Sequence, residues 1–94
     1  AVVNFLDRML YVEDRVLRIE EQAIEKTSPL AGKSLGDCQV QKRTGLMIIA
    51  IRNSENGEFT YNPPNDYRIN PGDALIVLGD TSQMEALSRY ASNG

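Results

Sequence analysis

Few residues in this chain have the types and spacing that chemistry needs. Glu20, Glu21 and Glu25 fall within one short stretch. Their carboxylate oxygens suit a hard cation such as calcium. On a strand, however, Glu20 and Glu21 point to opposite faces, so they chelate together only if the strand bulges. The alternative is a solvated acidic strand, whose charge discourages stray pairing at a sheet edge. Cys38 is the single cysteine, which excludes an intrachain disulfide and fits a reducing compartment. The chain has no histidine to activate it, so Cys38 reads as a small buried apolar residue. Ser28 and Ser34 have no base partner and read as turn or capping residues. Asp66 and Asp73 read as turn formers. Gly32, Gly36, Gly45, Gly57, Gly72 and Gly79 are scattered and spell no phosphate loop. No nucleophile–base pair, metal set or cofactor loop emerges, so neither an enzyme nor a bound cofactor is expected.

The elements that position these residues are organised around Gly45 to Asp80. Two apolar runs, Leu46 to Ile51 and Ala74 to Leu78, each have the length of one strand. Neither alternates, so both faces of each strand want cover. Asn56-Gly57 is a hairpin signal, Phe59 to Tyr61 a short edge piece, and Pro71-Gly72-Asp73 a turn into the second run. Upstream, Val2, Phe5, Leu6, Met9 and Leu10 recur at helical spacing, which predicts an amphipathic helix over Val2 to Tyr11. Val12 to Arg15 reads as a linker and Val16 to Lys26 as an acidic strand that suits an edge. Ser34 is placed to cap a short helix, Leu35 to Gln41, with Asp37 in its first turn. Gly45 marks the turn out of it. A last helix follows Gly79, with Met84, Leu87, Tyr90 and Ala91 on one side. Ser82 with Glu85 and Asp80 with Gln83 are competing capping registers for it.

The order describes a small α+β domain with a sheet of three to four mostly antiparallel strands and short helices. With 94 residues it is one domain. The opening, already inside a helical pattern, reads as a piece of a longer polypeptide: residues 1–14 as the end of an upstream linker or crossover helix, and 15–92 as the domain itself. The net charge of -3 and the lack of a basic stripe argue against nucleic acid and against an anionic membrane surface. No apolar run approaches a membrane span. The two apolar strands have more surface than their helices can shelter, and a homodimer solves this most simply. A monomer whose helices cover both faces is the other solution.

Ser28-Pro-Leu-Ala-Gly-Lys-Ser-Leu35, Thr44-Gly45-Leu-Met-Ile-Ile-Ala-Ile51, Pro63 to Asp73 and Ala74 to Gly79 occur in an ordered set. The set resembles the TrkA C-terminal domain, the C-terminal lobe of RCK domains (regulators of potassium conductance), over Val16 to Tyr90. Val3 to Leu10 is similar to the segment joining the nucleotide-binding RCK lobe to this lobe in channel-associated members. Asn62-Pro63-Pro64-Asn65-Asp66-Tyr67 is similar to a loop of calcium-gated prokaryotic potassium channels, though it also reads as a rigid loop.

The resemblance implies a cytoplasmic regulatory domain of an inner-membrane potassium channel. In such a protein two lobes dimerise and leave a cleft for a small ligand. An upstream RCK N-terminal lobe then carries the change to the pore. The same lobe also occurs on cation/proton antiporters or transporters and on DNA-binding regulators, so the parent stays open. Members that bind cyclic di-AMP carry an arginine four residues before the glycine and an asparagine two after it. Those places hold Gln41 and Met47 here, while the family proline corresponds to Pro63. Arg43 is the nearby residue able to replace the missing guanidinium. Gln41, Arg43, Met47 and Pro63 are therefore the expected ligand positions. Cyclic di-AMP, another small molecule, calcium or an empty cleft are the alternatives.

Overall fold

A computed structural model describes residues 9–12 and 15–92. Among the described residues five strands form one sheet: β1 (Met9–Val12), β2 (Arg15–Ala23), β3 (Met47–Arg52), β4 (Phe59–Tyr61) and β5 (Ala74–Gly79). Their order is β1-β2-β5-β3-β4, and every pairing is antiparallel. The helices α1 (Leu35–Cys38), α2 (Val40–Thr44) and α3 (Thr81–Ala91) make the fold α+β. No helix among the described residues is long and apolar enough to cross a membrane.

β5 explains its own composition. It is hydrogen-bonded to β2 on one side and β3 on the other, so its residues have no edge and little exposure. Leu75 and Val77 enter the core beside Ile24, Leu30, Cys38, Leu46, Ile51, Ile69 and Leu87. Ala74, Ile76 and Leu78 point to the opposite face. Ile76 is nevertheless only 1% exposed there, although the helices pack on the other side. An ion pair accounts for this. Arg52 Nε and Nη2 each lie 2.8 Å from Glu21 Oε1. Those residues sit on β3 and β2, the two neighbours of β5, so their side chains must cross above the β5 backbone. Their aliphatic stems then shelter Ile76 and Ala74.

β3 changes register between Ile48 and Ala50. The extra residue, Ile49, leaves Ile48 on the helix side with the core and Ala50 on the other. The β3–β4 hairpin closes through Asn53. Its backbone N–H donates to Glu58 O at 2.8 Å, and its side-chain oxygen accepts from the Glu55 and Asn56 N–H groups. Asp73, fully buried, joins this turn to the start of β5: Oδ1 accepts from Ser54 N–H and Oδ2 from Asn70 N–H, each at 2.9 Å.

Two expectations need correction. Met9–Val12 forms a strand that pairs with β2, from Met9 opposite Arg18 to Val12 opposite Arg15. The sequence pattern places Met9–Tyr11 in a helix and Val12 in a linker; residues 2–8 of that expected helix lie outside the described residues. Met-Leu-Tyr-Val fits either period, and the free edge of β2 supplies the backbone partners that decide it. Among the described residues β1 thus adds a fifth strand to the expected antiparallel α+β sheet, and β2 is an interior strand, not an edge. The second correction is a break in the helix expected over Leu35 to Gln41. Gln39 is left-handed (φ 51, ψ 43) and divides it into α1 and α2, which ends at Thr44. The Ser34 cap does form, accepting from Asp37 N–H.

The capping choice for α3 falls to Asp80. Its side chain accepts from Gln83 N–H, and Gln83 Oε1 accepts from Asp80 N–H, a complete capping box. Ser82 instead donates to Asp80 Oδ1. Capping directly after β5 draws α3 tightly onto the sheet. A Cβ on Gly79 would meet Leu46 Cδ2 and Gln83 Oε1, so any side chain there would have to displace the buried Leu46 and the capping Gln83. Leu87 and Ala91 are buried, and Met84 and Tyr90 pack against the core.

Candidate functional site

The break at Gln39 shapes a groove of about 660 Å³. The α1–α2 bend forms one wall, the start of β3 the floor, and the loop after β4 the other wall. That loop is held to α1 through backbone bonds: Leu35 N–H donates to Tyr67 O at 2.9 Å and Gly36 N–H to Asn65 O at 2.8 Å. A Cβ on Gly36 would come within 3.3 Å of Asn65, so glycine sets this spacing. Asn62 turns the loop in a left-handed conformation (φ 48), its N–H donating to Ile49 O.

Leu35, Val40, Met47, Ile48 and Pro63 give the groove its apolar surface. Gln39, Gln41, Asn62 and Asn65 supply carboxamides, and Lys42 supplies a cation. Such a lining offers van der Waals surface, paired donors and acceptors, and one point charge. It suits a small ligand with an apolar or ring-bearing body and hydrogen-bonding edges.

Three of the four expected positions, Gln41, Met47 and Pro63, meet on this groove. Arg43 does not line it. Its guanidinium lies over the ring of Tyr90, 5.1 Å from the centroid, a cation–π arrangement. α2 thus presents Lys42, not Arg43, to the groove. Lys42 and Gln39 are not singled out by the sequence, and Asn62 and Asn65 only as part of a loop, not as groove residues. The Asn-Pro-Pro-Asn run was a usable signal for the loop, but nothing local marks Gln39 as a break.

The acidic cluster does not converge. Glu20 lies 3.4 Å from Arg18, and Glu21 is held by Arg52. Among the described residues no group of three or more metal-ligating side chains comes together. Cys38 is fully buried. Burial pushes its thiol up; Lys33 partly opposes this and Asp37 adds to it. The Ser28 hydroxyl accepts from Leu30 N–H, a turn role.

Beside the groove lies the face of the sheet opposite the helices. Register places Met47, Ala50 and Arg52 of β3, and Phe59 and Tyr61 of β4, on this face. Met47 is 53% and Tyr61 65% exposed. The Phe59 and Tyr61 rings stack with centroids 6.3 Å apart. Leu17, Ile19 and Leu78, half-buried, continue the face toward β2. Of the two apolar runs, however, only Met47 is exposed; Ala50, Ala74 and Ile76 are buried on this face, so the expected excess on the two central strands is small and the uncovered apolar surface lies mainly on Phe59 and Tyr61 of β4. Met47 belongs to both face and groove.

The fold is that of a small α+β lobe with a groove beside its sheet, and comparison with known proteins gives its family. The TrkA-C domain model matches residues 19–92. The chain belongs to the TrkA-C family, the RCK C-terminal lobe. It is 38% identical over 93 residues to Probable potassium channel protein 2 of Methanocaldococcus jannaschii, covering 93% of this chain and 26% of that protein. The chain thus spans about a quarter of the length of the curated relatives it matches. Among solved structures it is similar to the RCK_C domain dimer of S. agalactiae BusR in complex with c-di-AMP. The TM-score is 0.72 and the identity 28%, over 80% of this chain and 90% of that one. BusR is also solved with its busAB-promotor DNA. The RCK C domain of the potassium transport protein KtrA, in complex with cyclic diadenosine monophosphate, matches with a TM-score of 0.64. Its identity is 29%, over 81% of both chains.

Proposed function

We propose that this chain is the ligand-sensing, dimerising lobe of a prokaryotic potassium channel, lying on the cytoplasmic side of the membrane. Two copies pair through the uncovered sheet face, and a small ligand in the groove changes the angle between them. An upstream RCK lobe carries that change to the pore. The ligand must bind the two angles unequally, or it shifts nothing. The observation that carries the reading is the position of Met47. It stands on the apolar face and on the groove, so a partner on the face closes the groove's mouth. The likeness to a potassium channel protein over nearly the whole chain supports the parent, and the BusR dimer supports the pairing.

Gln41, Met47 and Pro63 are the proposed ligand contacts, with Lys42 beside them. Where cyclic di-AMP-binding members carry a guanidinium fork, this groove offers a carboxamide and a point charge, a weaker partner for phosphate.

Light scattering at micromolar concentration tests the pairing. The expected mass is twice the 10.5 kDa of the chain. Tyr61→Glu, an exposed substitution that places two like charges at the interface, should yield the folded monomer. A wild-type monomer would overturn the reading. Calorimetry with cyclic di-AMP on the same samples reads ligand choice, and micromolar binding would show that Lys42 suffices for phosphate.

A second reading places the lobe on a DNA-binding regulator, favoured by the BusR complexes with promoter DNA. An antiporter or other transporter parent is a third. The upstream coding sequence separates them: a pore-helix pair with a selectivity filter supports the channel, and a winged-helix reader supports the regulator.

A further inference from the structure

The groove wall formed by α2 is gripped from behind at both ends. At its start, the break at Gln39 takes the Cys38 carbonyl out of a continuous helical ladder. The Tyr90 hydroxyl, from the last turn of α3, donates to that carbonyl at 2.6 Å. The ring of the same tyrosine lies under the Arg43 guanidinium. At the other end of α2, the space where Gly45 would carry a Cβ is occupied by Gln83 Nε2, 2.6 Å away. Gln83 is fixed in turn by the capping box at the start of α3. α3 therefore spans α2 lengthwise, while Gln41 and Lys42 face the groove.

Gln39 makes this grip consequential. A non-glycine residue in the left-handed region is strained and persists only where its surroundings over-determine it. Its own side chain caps nothing. The surroundings are Cys38 and Val40, both buried, and the Tyr90 bond between them and α3.

We infer that Tyr90 is a positioning residue for the groove: through the Cys38 carbonyl and Arg43 it sets the angle of α2 and couples the groove wall to the last turn of α3. The coupling is reciprocal. A ligand that fixes α2 orders the end of α3, and whatever displaces the end of α3 loosens the wall. The regulatory meaning rests on the groove being a ligand site, but the mechanical link does not, and it is tested without ligand.

Native-state amide exchange of the 94-residue chain reads local opening residue by residue. Tyr90→Phe removes one hydrogen bond and keeps the ring. The Gln39 and Arg43 N–H groups, bonded to Leu35 O and Gln39 O, should then exchange about five-fold faster. Ile76 and Val77 in β5 should stay within about two-fold of wild type. Leu87→Ala, a core truncation on the same helix, should accelerate both sets together. In the reverse direction, Arg43→Ala, an exposed change on α2, should speed exchange of the Ser92 N–H, which is bonded to Ser88 O at the end of α3. Equal acceleration of α2 and β5 in Tyr90→Phe, or none in α2, would overturn the inference. So would an unchanged Ser92 in Arg43→Ala, which needs no tyrosine variant to fold. Such a failure would leave the dimer and the groove standing, since their tests read mass and ligand heat.

Discussion

Replacing Asp73 with asparagine exchanges a carboxylate oxygen for an amide nitrogen and leaves the shape unchanged. Both oxygens are in use: Oδ1 holds Ser54 N–H and Oδ2 holds Asn70 N–H, each at 2.9 Å, and the side chain is fully buried. An asparagine accepts through one oxygen only. Its NH2 must then meet a second N–H, donor against donor. A hydrogen bond to a charged group contributes about 1.5–3 kcal/mol, and the surviving bond loses its charge assistance. Ser54 and Asn70 are themselves exposed, so water partly rescues the stranded donor. The net cost is about 2–3 kcal/mol for Asp73→Asn and about 3–4 for Asp73→Ala, which strands both donors. For a chain of this size, total stability is roughly 5–14 kcal/mol. Urea unfolding at one fixed protein concentration measures it. With a slope of about 1–1.5 kcal/mol/M, the midpoint of Asp73→Asn should fall by about 2 M. A loss below about 0.5 kcal/mol would refute the claim that both oxygens are needed.

Two further outcomes concern pH and reactivity. Gln83 N–H holds the Asp80 carboxyl below its ordinary range, with the Arg15 guanidinium and the Ser82 hydroxyl adding to this. A depressed carboxyl stabilises the fold above its unfolded-state value, near 4, and that contribution is lost as pH falls through the lower folded-state value. Asp80→Asn keeps a cap acceptor but should flatten the acid limb of a stability–pH series; identical limbs would count against the role. The Cys38 thiol is pushed up mainly by burial, so its contribution is present below the unfolded-state value and is lost as pH rises through the folded-state value. Stability should then decline above about pH 8.5. Cys38→Ala should remove that decline. A thiol reagent should label the folded protein at least about a hundred-fold more slowly than the unfolded one, and rapid labelling would show that the α1 region opens readily.

Much of the fold was legible because its signals are local. The apolar runs at Leu46 and Ala74 have strand length. Asn53 to Glu58 is rich in turn formers, and Ser34 stands three residues before Asp37, the spacing of a cap. The groove was legible only by resemblance, which brought Gln41, Met47 and Pro63 together but could not show which way Arg43 points. Two matters rested with tertiary structure. Met9–Val12 satisfies a helical and a strand period alike, and the open edge of β2 settled it. Gln39 has no local reason to be left-handed; buried Cys38 and Val40 on either side, and Tyr90 from the far end of the chain, impose the bend. A sequence states periods and caps, which depend on near neighbours. Which edge is free and which carbonyl meets a distant hydroxyl depend on residues separated by as many as 52 positions, and only the packed molecule brings those together.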